Sequence, residues 1–499
     1  MRDVVWLSVD KAIPPDSYWD QTLLKELLKP CNHHYAIGDL KQAIVIIPGA
    51  YMGKHIDAIN AELSKLEKCK VIITSDEENN FPIDGLLHNN MEVYATYFTD
   101  RYTRDIRWLP IGPAKIPNVE YNPKTLNWFY AGQVNHDSRK QLVEVLQNIP
   151  DGELLVTAGF AKGLEQSEYY KKMAQAKAVP APKGNISPDS FRFYEALELG
   201  AVPIAENIEF WNKLFPDNDL PIVEQWNDIE GFIDYISKNQ EYRNRCVAWW
   251  IQKKIEIQQE LIGQTDNVTV VLPISAVKSH PDTVIVDETI KSIRTQLPNA
   301  TIIATFDGVR EEKKDKYNDY QEFIERFLRK YGNANIYPII FTDHTHQVGM
   351  MRESMKHIKT KFIVYVEQDT PFTDDYIDWK GCKIALDTVD LIRFHFETQI
   401  PEPHKYLMRG KIQNKAVPLI RTRQWSQRPH ITTKIFYDRV LQNFSPNAIS
   451  FIEDKMHSVA QEQPRQYRLS IYNPKGSIKR TYHTDGRAGE EKYDDKQIF

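Results

Sequence analysis

Cysteine is scarce: Cys31, Cys69, Cys246 and Cys382 are scattered through 499 residues, with no C-x-x-C pair among them. No disulfide framework for a chain of this size follows from four isolated positions, so they read as reduced core residues of a cytoplasmic protein. Long apolar runs are missing as well. Nothing approaches the roughly 18–20 residues of a membrane-crossing helix, and the opening MRDVVWLSVDK lacks the basic start and apolar core of a signal peptide. A chain with no transmembrane segment is the expectation. Low-complexity tracts and fixed-period repeats are absent, which argues against a solenoid or a disordered linker protein. Nor is there a strong excess of one charge: 63 Lys and Arg against 68 Asp and Glu leave −5, with 41% hydrophobic and 26% charged residues. That usage is ordinary for globular protein and excludes a histone-like polycation.

What is present is a long succession of α/β signals. At about 150 residues per domain the length corresponds to about three domains. Short β-branched runs such as QAIVIIPG (42–49), KVIITSDEE (70–78), NWFYAGQ (127–133), ELLVTAG (153–159) and VPIAEN (202–207) alternate with amphipathic helical stretches. This is how β-α units on parallel sheets read. A charged, Trp-containing helical region over 228–262 interrupts the pattern. It restarts with NVTVVLPIS (267–275), TIIATFDG (301–308), ANIYPIIFT (334–342) and KFIVYVEQD (361–369). The main boundary is expected near 264–267, and a second one at the Pro/Asn-rich segment near 115–125.

Charge is also unevenly distributed. From 403 to 439 there are nine basic residues, Lys405, Arg409, Lys411, Lys415, Arg421, Arg423, Arg428, Lys434 and Arg439, against Asp438, a local charge of +8. A solvated basic face would account for it, but a pocket or surface for an anion explains the clustering better.

KFIVYVEQDTPF (361–372) is the most informative stretch. A strand places residues i and i+2 on one face, so Glu367 and Asp369 would point the same way at the C-terminal edge of a parallel sheet, where open α/β folds bind ligands. Two convergent carboxylates suit Mg²⁺ or Mn²⁺. An isolated E-x-D is common and equally describes solvated acids at a turn. Its context adds weight: Asp307 ends another strand, and Glu453 and Asp454 open a helix-like run, FIEDKMH (451–457).

In this order, VTVVLPIS, FDG, GMMRESMKHIKTKF, VEQD and IEDKMH resemble a GT-A glycosyltransferase of the inverting, family 2-like type. The resemblance implies that Ser275 and Asp307 line the nucleotide pocket, with Arg352 near the phosphates. Glu367 and Asp369 would sit at a metal and the donor diphosphate, with His483 of RTYHTDGR (480–487) as a third ligand and Arg487 facing the phosphates. Asp454, with Glu453 beside it, would be the base that deprotonates the acceptor hydroxyl. Glu367 departs from the family's usual first Asp.

In the first half, PDSFRFYEALELGAVPI (188–204), preceded by NWFYAGQVNHDSRKQL (127–142), resembles the donor-binding half of an exostosin-like GT-B glycosyltransferase. On the residues alone, a helix N-terminus capped near Ser187 or Ser190 with Arg192 in its first turn offers a phosphate site, and Glu195 a ribose partner. The resemblance adds Gly132 and Gln133 as a loop near the diphosphate and Arg139 as a phosphate ligand. Asp76, Glu77 and His55 are guesses for a base in this half.

The expected fold class is therefore α/β. A GT-B-like pair of Rossmann-like domains (1–120, an acceptor half; 121–263, a donor half with a crossing helix) would be followed by a GT-A-like nucleotide-diphospho-sugar transferase domain (264–499). The implied activity is transfer from a nucleotide sugar, a UDP-sugar first among them, to an acceptor hydroxyl, with Mn²⁺ or Mg²⁺ and two successive transfers by a fused pair. The acceptor is expected to be a glycan. Alternatives are a hydroxylated base in phage-type DNA, contacted through the basic stretch, and a non-catalytic glycan-binding scaffold.

Overall fold

The computed structural model describes residues 2–9, 16, 18–97, 99, 101–159, 163–264, 266–412 and 416–484. The chain divides into two compact units, Met1–Gly263 and Gln264–Phe499. Among the described residues no helix is long and apolar enough to cross a membrane.

The first unit contains two parallel sheets. Strands β1 (Asp3–Trp6), β2 (Asn32–His34), β3 (Gln42–Pro48), β4 (Lys68–Thr74), β5 (Met91–Ala95) and β6 (Arg107–Trp108) form a six-stranded sheet in the order β2-β1-β3-β4-β5-β6. Strands β7 (Leu126–Gln133), β8 (Gly152–Thr157), β9 (Ala176–Ala181), β10 (Val202–Glu206) and β11 (Ile222–Val223) form the second, in the order β11-β10-β9-β7-β8. The QAIVIIP run of β3 is buried from Ala43 onward, as helices on both faces of a parallel sheet require.

The helix Gln240–Ile262 connects the two sheets' layers. Near its start Tyr242 OH donates to Asp219 O (2.8 Å); near its end Gln258 Nε2 donates to Leu27 O (2.7 Å) and Arg107 Nη1 meets Glu260 Oε1 at 2.9 Å. Asn239 caps it by accepting from Tyr242 N, and Gly263, at φ +77°, ends it in a backbone region that favours glycine.

The second unit holds one mixed sheet. Its strands are β12 (Val268–Ile274), β13 (Thr301–Phe306), β14 (Ile336–Ile340), β15 (Phe362–Tyr365), β16 (Leu391–Arg393), β17 (Met408–Ile412), β18 (Leu419–Thr422), β19 (His430–Thr433) and β20 (Leu469–Tyr472). The order is β14-β13-β12-β15-β19-β16-β20-β18-β17. The four strands β14, β13, β12 and β15 are mutually parallel, and β19 runs antiparallel between β15 and β16. The ends of β12, β13, β14, β15 and β16 and the start of β19 therefore share one sheet edge. Gly308 lets the loop after β13 approach the loop after β14: a Cβ there would lie 2.3 Å from the Asp343 carbonyl carbon.

One buried ion pair tests the packing of the first unit. Lys254 Nζ lies 2.7 Å from Glu198 Oε1, both side chains are about one-twentieth exposed, and Trp250 Nε1 donates to the same oxygen at 2.8 Å. Lys254→Met leaves the Glu198 carboxylate buried without its cation, and an unfolding free energy lower by about 3 kcal/mol is expected in denaturant melts. A loss below about 1 kcal/mol would show that the carboxylate is adequately held without Lys254.

Candidate functional site

The sheet edge of the second unit carries a two-lobed cleft. The inner lobe encloses about 720 Å³ of space open to solvent, and its wall includes Ser275, Asp307, Arg310, Lys313, Glu367 and Asp369. The outer lobe is lined by Asp454 together with Thr342, Asp343 and Ser450. Val309, Arg310, His344, His346 and Phe451 belong to both.

Asp307 builds this wall. Its side chain is 3% exposed, and Oδ1 accepts from Thr345 N (2.8 Å), Thr345 Oγ1 (3.2 Å) and His346 N (3.2 Å), while Oδ2 lies 2.8 Å from His344 Nδ1. The carboxylate expected to line the nucleotide pocket lies in the wall of this lobe and fixes the turn that opens the helix His346–His357. His346 accordingly adopts φ +60°, an uncommon region for a residue with a side chain. Arg310 Nε donates to His344 Nε2 (3.2 Å), and its Nη2 lies 3.0 Å from Nε2 of His346, whose Nδ1 accepts from Gln347 N (2.8 Å). Burial, then Arg310 and His344, push His346 down to about 4, so the ring is neutral near pH 7.

The next residue joins the two acidic motifs. Gln347 Nε2 donates to Glu367 Oε1 (3.0 Å), and its Oε1 accepts from Ile452 N (3.2 Å), at the start of the helix Ile452–Glu462. This helix presents Glu453 and Asp454 in its first turn. Glu453 Oε2 accepts from Gln427 N at 3.2 Å. Asp454 is exposed in the outer lobe, with no hydrogen bond or ion pair among the described residues.

Glu367 and Asp369 do not share a strand face. β15 ends at Tyr365, and Thr370 N closes a turn onto Glu367 O at 3.1 Å. The two carboxylates have different partners, though both line the inner lobe. Glu367 Oε1 meets Gln347 and, at 3.5 Å, Tyr365 OH; Asp369 Oδ2 faces His483 Nδ1 at 4.0 Å. Between them Gln368 ties two strand ends together, its Oε1 accepting from Ser275 N at 3.2 Å.

The three residues expected to hold a metal do not form a ligand set as arranged. Among the described residues no three His, Cys, Asp or Glu groups converge in a metal-binding cluster. His483 has a second difficulty. Its Nε2 lies 3.0 Å from Arg428 Nη1, and a guanidinium can only donate, so Nε2 accepts and Nδ1 carries the proton. A ligating Nδ1 needs the opposite tautomer.

Arg352 also departs from expectation, since it does not line the cleft. Its guanidinium reaches the carbonyls of Phe444 (2.9 Å), Leu441 (3.4 Å) and Pro446, satisfying acceptors left at a helix C-terminus. Arg487 lies outside the described residues. The alternation of apolar and polar residues gave no warning of Gln347, His346 or Arg310; the nearest signal was the pair of histidines in DHTHQ (343–347), placed just after a strand.

In the first unit the expected donor residues cluster at the end of β7, but several are engaged by their own fold. Arg192 Nη2 donates to Ala131 O (2.7 Å), its Nε to Tyr169 OH (3.3 Å), and its guanidinium lies 4.7 Å from the Tyr130 ring centroid. A Cβ on Gly132 would come within 2.8 Å of Arg192 Nη2, so glycine is what lets the arginine lie there. Glu195, 6% exposed, accepts from Tyr170 OH at 2.9 Å and is buried. Arg139 donates to Lys183 O (2.9 Å) and, more weakly, to the Gln133 carbonyl (3.5 Å), with Nε unpartnered among the described residues. Ser190 occupies the N-cap of the helix Phe191–Glu198, but its hydroxyl makes no cap hydrogen bond. Asp76 accepts from Asn80 N and Phe81 N, and Glu77 from Ile186 N and Ser187 N. Both are loop clamps in this arrangement, and His55 is half-buried at the start of the helix Ile56–Leu63.

No protein-family model and no curated protein matches the sequence. Solved structures that resemble it include S. aureus TarS 1-349 (13% identity, 44% of this chain, 60% of that chain, TM-score 0.29). The same TarS segment in complex with UDP-GlcNAc matches at 12% identity, 43% of this chain, 57% of that chain and TM-score 0.29. The mannosyltransferase PcManGT from Pyrobaculum calidifontis, in complex with GDP-Man and Mn²⁺, matches at 10% identity, 43% of this chain, 56% of that chain and TM-score 0.27. The chain thus covers less than two thirds of these proteins' lengths, and its functional reading rests on the cleft's own residues.

The buried histidines make the second unit acid-sensitive. His430 is fully buried, with Nδ1 donating to Arg428 O (2.7 Å) and Nε2 accepting from Tyr437 OH (2.7 Å). Burial pushes it down to about 4, from 6.5. Between those values the unfolded chain binds the extra proton, so the stabilisation is complete above about pH 6.5 and is lost as pH falls toward 4. His430 alone contributes a loss of about 3 kcal/mol over that window, at about 1.4 kcal/mol per pH unit. Denaturant melts at pH 7 and 5 should show it, and His430→Gln should reduce the difference; equal pH sensitivity in the variant would refute the assignment.

Proposed function

We propose that the chain is a glycosyltransferase that moves sugar from a nucleotide donor to an acceptor hydroxyl, with its catalytic cleft in the second unit. The observation that carries this reading is the Gln347 bridge. It joins the strand-end turn bearing Glu367 and Asp369 to the helix start bearing Glu453 and Asp454, beside one two-lobed cleft at a parallel sheet's C-terminal edge. In this reading the unit is GT-A-like, and Ser275 and the loop after β13 border the nucleotide.

Asp454 is the base: its carboxylate is exposed in the outer lobe. It takes the proton of the acceptor hydroxyl as that oxygen attacks the anomeric carbon. The bond from that carbon to the phosphate oxygen breaks, the nucleoside diphosphate leaves with the electron pair, and configuration inverts. Arg310 and Lys313, in the same lobe as Asp369, supply positive charge for the leaving group. Arg310 is positioned for this by His344, whose Nε2 accepts from its Nε, and the neutrality of the neighbouring His346 adds no further charge beside it. No step requires the Glu367, Asp369 and His483 set to hold a metal.

A GT-B-like role for the first unit, as a second nucleotide-sugar site, is supported by two parallel sheets joined by a crossing helix and by Arg139 and Arg192 near the Gly132 end of β7. That unit shows no carboxylate free to act as a base among Asp76, Glu77 and Glu195, so the second unit is the one assigned catalysis.

Release of nucleoside diphosphate from a panel of UDP-, GDP- and CDP-sugars tests the reading. Turnover is expected with at least one donor, reduced about 100-fold or more by Asp454→Asn, the scale of a lost general base. The same turnover should fall little in Arg139→Ala. Silence of the wild-type chain across the panel with glycan acceptors would favour a binding protein, and undiminished turnover in Asp454→Asn would remove Asp454 from the chemistry.

A further inference from the structure

The basic stretch from 403 to 439 separates on folding. Arg409, Lys411 and Arg421 lie exposed on the β17–β18 edge of the sheet, where charges discourage edge-to-edge pairing. Lys405 pairs with Glu402, and Arg439 Nη1 donates to Gln466 O at 2.7 Å. Lys415 lies outside the described residues. Arg428 turns inward, at the start of β19.

There it joins a second cationic group. The Arg428 guanidinium lies 3.5 Å from the Phe396 ring centroid. Arg393, at the end of β16 and paired in register with His430, is 3% exposed. Its Nη2 donates to Gln424 Oε1 at 3.2 Å, but its buried Nε has no hydrogen-bond partner among the described residues. Two residues on, His395 is 4% exposed, and neither ring nitrogen makes a hydrogen bond of ordinary geometry among the described residues, although Glu397 Oε2 stands 3.8 Å from Nε2 and the Gln399 backbone also faces the ring. Burial, reinforced by Arg393 and Arg428, pushes His395 down to about 3, so it is a neutral ring with one N–H to donate. Arg393 is itself pushed down to about 10 by burial and Arg428, with Glu453 opposing.

Unmatched buried donors are costly, and Arg393 Nε and the His395 ring are such donors. An oxyanion meets that demand, since phosphate and carboxylate oxygens accept from guanidinium and imidazole N–H groups. The position on the sheet edge says which substrate would carry it. Ser275, Asp307 and His344 follow β12, β13 and β14, on one side of Asp369; Arg393, His395 and Arg428 lie on the other side, beyond β15. If the donor occupies the first side, the second belongs to its reaction partner.

We propose that Arg393, His395 and Arg428 form an oxyanion subsite that binds a phosphate or carboxylate group of the acceptor. The assignment to the acceptor rests on the glycosyltransferase reading; the subsite itself does not.

Calorimetric titration of the full chain with inorganic phosphate and, separately, acetate tests it, alongside UDP, GDP and CDP. Millimolar binding of one oxyanion is expected, weakened about tenfold or more in Arg428→Ala and Arg393→Gln and largely retained in Arg428→Lys. Preference for phosphate or for acetate distinguishes the two acceptor chemistries. Binding of the preferred nucleotide should change less than about twofold in Arg428→Ala, whose folding is checked by its unfolding midpoint. Oxyanion affinity unchanged in Arg428→Ala, or no oxyanion binding by the wild-type chain, overturns the subsite. An equal loss of nucleotide affinity overturns the acceptor assignment by placing the donor diphosphate there. Failure of every nucleotide to bind, with oxyanion binding intact, would instead remove the glycosyltransferase reading.

Discussion

The cleft of the second unit depends on one buried carboxylate. Asp307 sits where β13 ends and satisfies the backbone N–H groups of Thr345 and His346, donors that a helix start otherwise leaves unmatched. That contact fixes the left-handed backbone at His346, and the fixed backbone aims the following residue, Gln347. From there one side-chain amide reaches the turn after β15 with its nitrogen and the helix at Ile452 with its oxygen. An apolar residue at 307 or 347 would leave several buried polar groups unmatched at once. The acidic motifs are thus held together by two polar side chains that lie between them, and neither motif alone defines the site.

Charge around this edge is arranged by burial as much as by residue type. Histidines that would titrate near neutrality in water are kept neutral: His346 beside Arg310, His430 within the sheet, His395 beside two arginines. None of these neutral rings adds to the local positive charge, so the arginines remain the cations of this sheet edge. The same logic explains why His483 is a poor metal ligand in this arrangement. A guanidinium on one ring nitrogen dictates the proton on the other.

The first unit uses its polar groups differently. Glu77 clamps the loop after β4 to the loop after β9, Arg192 fastens its helix to the end of β7, and Glu195 is satisfied by Tyr170. Residue types that in sequence look like a phosphate-and-ribose site are partly the fastenings of a βαβ unit. A side chain that hydrogen-bonds a strand-end carbonyl is indistinguishable, in sequence, from one that hydrogen-bonds a ligand.

Strand and helix existence was legible because it rests on local periodicity: QAIVIIPG, TIIATFDG and KFIVYVEQD are apolar over the length of a buried strand, and parallel sheets bury both faces. The acidic motifs were legible too, as residue types at the ends of such runs. Their geometry was not. Glu367 and Asp369 lie on a turn rather than on one strand face because the strand stops at Tyr365, and the point at which pairing stops depends on the neighbouring strand's register. Arg352 faces helix-end carbonyls and Arg428 an aromatic ring and a histidine, though both are arginines near the same motifs. The sequence by itself determined which segments form the sheet edge and which charges it carries; only the tertiary structure decided which of those charges meet each other and which face the cleft, because hydrogen bonds between side chains distant in sequence form only after the chain has packed.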